Sequence, residues 1–155
     1  MNQITPVTAP SKLNPITVEV ISSAFASTVE EMGEALVRAS YSTNIKERRD
    51  CSTALFDRHG ELVMQAEHIP VHLGAMPTAV AAVLDEDHRP GVSWILNDPY
   101  RGGTHLPDIT VITPVFAEGN ELLGFAASRA HHADVGGRIP GSMPADSRTL
   151  DEEGV

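Results

Sequence analysis

Apolar residues recur at steps of three and four through Val18, Ile21, Phe25, Val29, Met32, Leu36 and Ala39, which predicts one long helix ending near Ser40. Asn14 followed by Pro15 supplies its start. The Asn side chain can accept an orphan amide hydrogen, and Pro gives up no bond in the first turn. Gly33 weakens the helix slightly and points to close packing by a neighbour. Residues 1–13 carry no apolar period and are expected to form a flexible tail, leaving 14–155 as the folded part. After a charged connector, YSTNIKERRDC, the runs STALF and ELVMQ flank Asp57-Arg58-His59-Gly60 in the manner of a β-hairpin.

Farther along, Ala75 to about Leu84 is rich in Ala, Val and Leu and predicts a short helix, with Pro77 tolerated near its first turn. SWILN, residues 93–97, has the composition of a short strand that runs into the loop DPYRGGTHLPD. ITVITPVF and ELLGFAAS surround Ala117-Glu118-Gly119-Asn120 and predict a second hairpin, with Pro114 marking an edge or a bulge. The expected class is α+β: a long N-terminal helix plus antiparallel hairpins.

With 41% hydrophobic and 21% charged residues, the composition is that of a globular chain. An excess of acidic over basic residues, 21 against 11, argues against a nucleic-acid partner, which would require clustered Lys and Arg. No stretch has the length and apolarity of a membrane span, and the first residues lack a leader's apolar run, so the expected location is the cytoplasm. Cys51 is the single cysteine and reads as a small buried residue, because a catalytic thiol needs an electropositive setting and a base.

Metal-capable groups concentrate in two loops: His105 and Asp108 in GTHLPD, and His131, His132 and Asp134 in RAHHADVGG. A turn centred between Glu118 and Gly119 would set His105 opposite His132 and Asp108 opposite Arg129, near enough for two imidazoles and a carboxylate to meet one ion. A one-residue bulge near Pro114 or at the HHAD turn would present His131 instead, so both histidines stay candidates. The alternative is a set of loop histidines bonded to backbone carbonyls. Two His and one carboxylate suit Zn, Fe or Mn and leave positions open for water or a substrate oxygen. His68 and His72 are separated by Pro70, which disfavours a shared helix face; packing or hydrogen bonding is the better reading. Arg48 and Arg49 read as a charged connector. Neither Gly102-Gly103 nor Gly136-Gly137 forms a phosphate-binding fingerprint with a following helix.

The segments NPITVEVI, EEMGEAL, YSTNIKERRDCSTALFD, QAEHIPVHLGAMP, NDPYRGGTHLPDIT, RAHHADVGG and PGSMPADS together resemble the amino-terminal part of the hydantoinase B/5-oxoprolinase family, which includes N-methylhydantoinases and B-type subunits of acetone and acetophenone carboxylases. The resemblance implies an incomplete portion of a larger fold, since B-type subunits are several times longer. It also implies an ATP-dependent cyclic amide hydrolase of several subunits. A hydantoinase A-like partner uses ATP to activate the carbonyl of a small cyclic amide, and the B-type part, including the remainder of its own subunit, completes the hydrolysis. Carried over, a divalent metal falls on His105, Asp108 and one of His131 or His132, with Asp134 orienting the imidazoles or adding a ligand. ATP would be used only through the partner. A catalytically inactive, truncated metal-binding or assembly module, or a piece of a related ketone carboxylase, are the alternatives.

Overall fold

A computed structural model describes residues 14–72 and 74–155, so the expected tail lies outside the described residues. Helix α1 spans Pro15–Ala39, and the Asn14 side chain accepts a hydrogen bond from the Ile16 amide, as an N-cap should. A short helix α2, Thr43–Lys46, leads to strand β1, Cys51–Asp57, which forms a hairpin with β2, Leu62–Glu67. A 3₁₀ turn at Pro70–His72 precedes α3, Ala75–Ala81. Strands β3 (Trp94–Leu96), β4 (Asp108–Phe116) and β5 (Leu122–His131) follow, and α4 (Leu150–Glu153) comes last. The five strands form one antiparallel sheet in the order β2-β1-β5-β4-β3.

The two faces of this sheet carry different cargo. Ala54, Phe56, Ile112, Phe125 and Ala127 pack with Met76, Ala79, Val80 and Val83 of α3 and its following turn. On the other face, the Thr53 hydroxyl donates to the Val29 carbonyl of α1 at 2.6 Å, and Cys51 and Ala130 pack with Val37 and Ile45. Burial pushes the Cys51 thiol above its ordinary pKa, and the neighbouring Asp50 carboxylate adds to this, as expected of a packing residue rather than a nucleophile. Gly33 is where His68 packs: a Cβ there would stand 2.2 Å from the imidazole Nε2.

The apolar stripe of α1 is covered only in its second half, at Val29, Gly33 and Val37; Val18, Ile21 and Phe25 are exposed. Helical periodicity reports that a face is apolar, not that this chain supplies what covers it. One expectation needs correction: the β4/β5 register differs from the one expected, because Asp108 pairs with His131 and Thr110 with Arg129. Gly119 and Asn120 both take left-handed φ, 85° and 64°, and the tip closes between Ala117 and Glu121. Phe116 then pairs with Leu122, and a bulge between Val115 and Phe116 sets Gly124 opposite Val115. Pro114 is tolerated inside the sheet because β3 pairs only with residues Thr110 to Ile112, so its own position lies past that strand's end.

Gly124 is squeezed between two strands, and a Cβ there would lie 2.1 Å from the Phe56 carbonyl oxygen. Gly124→Ala should therefore lower stability by about 1–3 kcal/mol, seen as a lower denaturant midpoint, and an unchanged midpoint would refute the close approach. Phe25, Leu55, Val63, Val115 and Leu123 line a largely apolar groove beside the uncovered half of α1. The isolated chain should self-associate through it as concentration rises, and Leu123→Lys should reduce the effect. A light-scattering mass that stays monomeric at high concentration contradicts this.

Candidate metal centre

The face of the sheet that holds α3 changes character along its length. Apolar positions on β1, β5 and β4 give way, two residues farther on, to the cross-strand row Ser52, Arg129 and Thr110, and then to Asp108 paired with His131. Ser52, Thr110, Arg129 and Asp108 are all buried, together with His72 from the 3₁₀ turn. Alternation along each strand puts these polar groups on one side, so the end of the hydrophobic layer becomes a polar chamber.

His105 reaches this chamber through a turn. The Asp108 amide donates to the His105 carbonyl at 3.0 Å, which folds the Thr104–Asp108 segment back over the start of β4. His105 Nε2 and His131 Nδ1 each lie 2.9 Å from Asp108 Oδ1, and they are 3.0 Å from each other. Adjacent ligand atoms around an ion at about 2.1 Å stand roughly 3.0 Å apart in an octahedral set and about 3.4 Å apart in a tetrahedral one, so the three atoms are close enough together to share one ion. Among the described residues, this trio is the group whose ligand atoms converge in this way. His132 is not part of it. Its amide donates to the Pro107 carbonyl, and burial, aided by the nearby His131, holds its imidazole below the ordinary pKa.

Asp108 is 3% exposed, and burial alone would raise its pKa. Hydrogen bonding from the Thr104 hydroxyl, at 2.5 Å from Oδ2, and the two histidines outweigh burial, so the carboxyl is held below its usual range. Arg129 is fully buried, and its Nε donates to Thr110 Oγ1 at 2.7 Å and an Nη2 hydrogen to the Gly102 carbonyl at 3.2 Å. Burial lowers the Arg129 pKa from its ordinary value while the charge of Asp108 opposes this.

Asp134 serves its own loop. Its carboxylate accepts from the Gly136 and Gly141 amides and from the Ser142 hydroxyl at 2.8–3.0 Å, rather than from either imidazole. Those bonds hold its pKa low. Four residues that sequence reasoning did not place at the site stand in it: Asp50, Ser52, His72 and Thr104. His72 makes the hydrogen bond expected of it, Nδ1 to Ser52 Oγ at 3.0 Å, while Nε2 looks toward Asp108 and Asp50. Burial depresses its pKa, against the opposing carboxylates. The available signal was the polar Ser52 at an inward position of an otherwise apolar strand. A groove of about 350 Å³ opens beside His105, bordered by Tyr100, Leu106, Arg148 and Leu150.

The structure superposes on the ATP-dependent caprolactamase of Pseudomonas jessenii with a TM-score of 0.82 at 31% identity, over 94% of this chain and 25% of that one. It superposes on acetone carboxylase, in its nucleotide-free structure, with a TM-score of 0.70 at 25% identity, over 80% of this chain and 17% of that one. A 5-oxoprolinase of Saccharomyces cerevisiae is 50% identical over 146 residues, which is 92% of this chain. This chain spans only 11% of that relative's length. The model of the hydantoinase B/oxoprolinase family matches residues 14–155, and the chain belongs to that family.

Proposed function

We propose that this chain provides the metal-binding part of an ATP-dependent cyclic amide hydrolase of the hydantoinase/5-oxoprolinase type. The observation that carries the reading is the convergence of His105, Asp108 and His131 on one point, in a chain half identical to a 5-oxoprolinase and similar in fold to a caprolactamase. The ligands would be those three residues and the ion Mn, Fe or Zn. A divalent ion there supplies Lewis-acid chemistry, withdrawing charge from a carbonyl oxygen. Asp108 brings the negative charge that balances the ion, the two imidazoles bring neutral donors, and Thr104 keeps the carboxylate from rotating. The groove beside His105 is where a small cyclic amide would approach, with Arg148 and Tyr100 at its border.

ATP would enter through a hydantoinase A-like partner, because the sequence holds no phosphate-binding fingerprint. That partner would activate the amide carbonyl, and the remainder of a B-type subunit would complete the enclosure. We place the assembly in the cytoplasm, which the lone buried thiol favours; no helix among the described residues is long and apolar enough to cross a membrane. The likeness to acetone carboxylase supports a second reading, in which the activated carbonyl belongs to a ketone and the product is a carboxylate.

His105→Ala, Asp108→Ala and His131→Ala should each abolish stoichiometric uptake of Mn, Fe or Zn, and His132→Ala should have little effect. Metal analysis of the four purified variants decides this, and wild-type content in all of them means that the site does not exist. The 155 residues alone, supplied with ATP and 5-oxoproline or a hydantoin, should neither release ADP nor open the ring. Substrate-dependent turnover by this chain in a coupled assay would sink the need for an A-type partner.

A further inference from the structure

On the far side of Asp108 from the converging ligands stands an imidazole with no solvent exposure and an unusual set of neighbours. His72 Nδ1 lies 3.0 Å from Ser52 Oγ, while Nε2 lies 3.7 Å from Asp108 Oδ2 and 3.7 Å from Asp50 Oδ1. Among the described residues, neither His72 Nε2 nor Asp50 Oδ1 has a hydrogen-bond partner, although both atoms are buried. A buried donor and a buried acceptor left unpaired each carry a desolvation cost, and such groups are rare in folded proteins. Their placement back to back with the metal-ligand candidate calls for a role beyond filling space.

The neighbours decide which nitrogen carries the hydrogen. Two carboxylate oxygens face Nε2, and they demand a donor there, whereas the Ser52 hydroxyl can donate to a bare Nδ1. The imidazole therefore points one N–H at the gap between Asp108 and Asp50. A movement of about 0.8 Å would bring either carboxylate oxygen into hydrogen-bond range of that N–H.

We propose, on the strength of the metal reading above, that His72 is a positioning residue for the centre: its Nε2–H, fixed in direction by Ser52, anchors the outer oxygen of Asp108 and the facing oxygen of Asp50 while Asp108 Oδ1 serves the ion. Groups that orient a ligating carboxylate from behind make the ligand set rigid before the ion arrives, which raises affinity without adding a ligand. Thr104 already holds Asp108 Oδ2 from one side, and His72 Nε2 stands 3.7 Å from the same oxygen, within a small movement of bonding it. A residue that only fills volume would not need the Ser52 contact or the direction of the ring.

The test compares three variants of the full chain. Zn²⁺ affinity is measured by chelator competition, and the ligand field is read from the visible absorption of the Co²⁺ form. His72→Leu keeps an apolar body but no donor, and it should weaken Zn²⁺ binding roughly 10–100-fold and alter the Co²⁺ absorption. His72→Gln restores an N–H at similar reach and should stay within about threefold of wild type. Ser52→Ala leaves the imidazole in place but frees its orientation, and it should fall between the two. If His72→Leu fails to fold, as judged by circular dichroism, the Gln and Ser52→Ala variants still separate the cases. Wild-type affinity and spectrum in a folded His72→Leu, wild-type values in Ser52→Ala, or Zn²⁺ binding weakened about tenfold or more in His72→Gln, overturns the positioning role while the metal site stands. Failure of the unaltered chain to take up Zn²⁺ or Co²⁺ instead overturns the metal reading on which it rests.

Discussion

A carboxylate withdrawn from water must be surrounded by donors or by positive charge, and Asp108 is placed where that requirement shapes everything near it. It is the first residue of β4, paired with His131 of β5, so the register of the central hairpin decides which imidazole stands beside it. The turn that precedes it brings His105 to the same oxygen, and the Thr104 hydroxyl takes the other. Remove the register and the donors scatter, because a one-residue slip would turn His131 to the opposite face and bring His132 forward. The two-residue displacement from a plain hairpin, half from the tip and half from the bulge, thus sets the chemistry of the site.

The same sheet face performs two jobs that compete for space. Along β1, β5 and β4 the inward positions are apolar where α3 covers them and polar where it does not. Arg129 sits at this boundary, paired across the sheet with Ser52 and Thr110, and its guanidinium spans from the sheet to the Gly102 carbonyl of the loop that carries Thr104 and His105. A buried cation is expensive unless it is bonded and matched by charge, and Arg129 has two hydrogen bonds and the field of Asp108, while its Nη1 has no partner among the described residues. It fastens the loop of the candidate site to the strand that carries His131.

Much of this was legible in the sequence, for reasons that differ by element. The helix after Asn14-Pro15 and both hairpins follow from local rules of capping, periodicity and turn composition, which act over a few residues. His105, Asp108 and the HHAD pair could be picked out because their side chains bind ions and their loops flank one hairpin. Choosing between His131 and His132 needed the backbone angles of Gly119 and Asn120 and the bulge after Val115, which composition does not specify. Asp50 and His72 were hidden for another reason: they come from a connector and a 3₁₀ turn distant in sequence from both loops, and only the order β1-β5-β4 brings them alongside. Asp134 was expected beside the imidazoles from its place in RAHHADVGG and from the family resemblance, yet three nearby donors claim its carboxylate.

Charged and polar groups crowd the chamber around His72. Asp50 and Asp108 both turn an oxygen toward it, Arg129 is buried near it and Asp108, and burial pushes the His72 pKa down against the pull of the two carboxylates. Like charges held close in a poorly solvated space repel strongly, and a protein usually relieves this by protonating one of them. Here Asp108 moves the other way, since its surrounding donors hold its carboxyl below the usual range despite its burial. Asp108 Oδ1 thus stands 2.9 Å from each of two imidazole nitrogens at the end of a buried polar row, and this donor set is what the proposed cation site rests on.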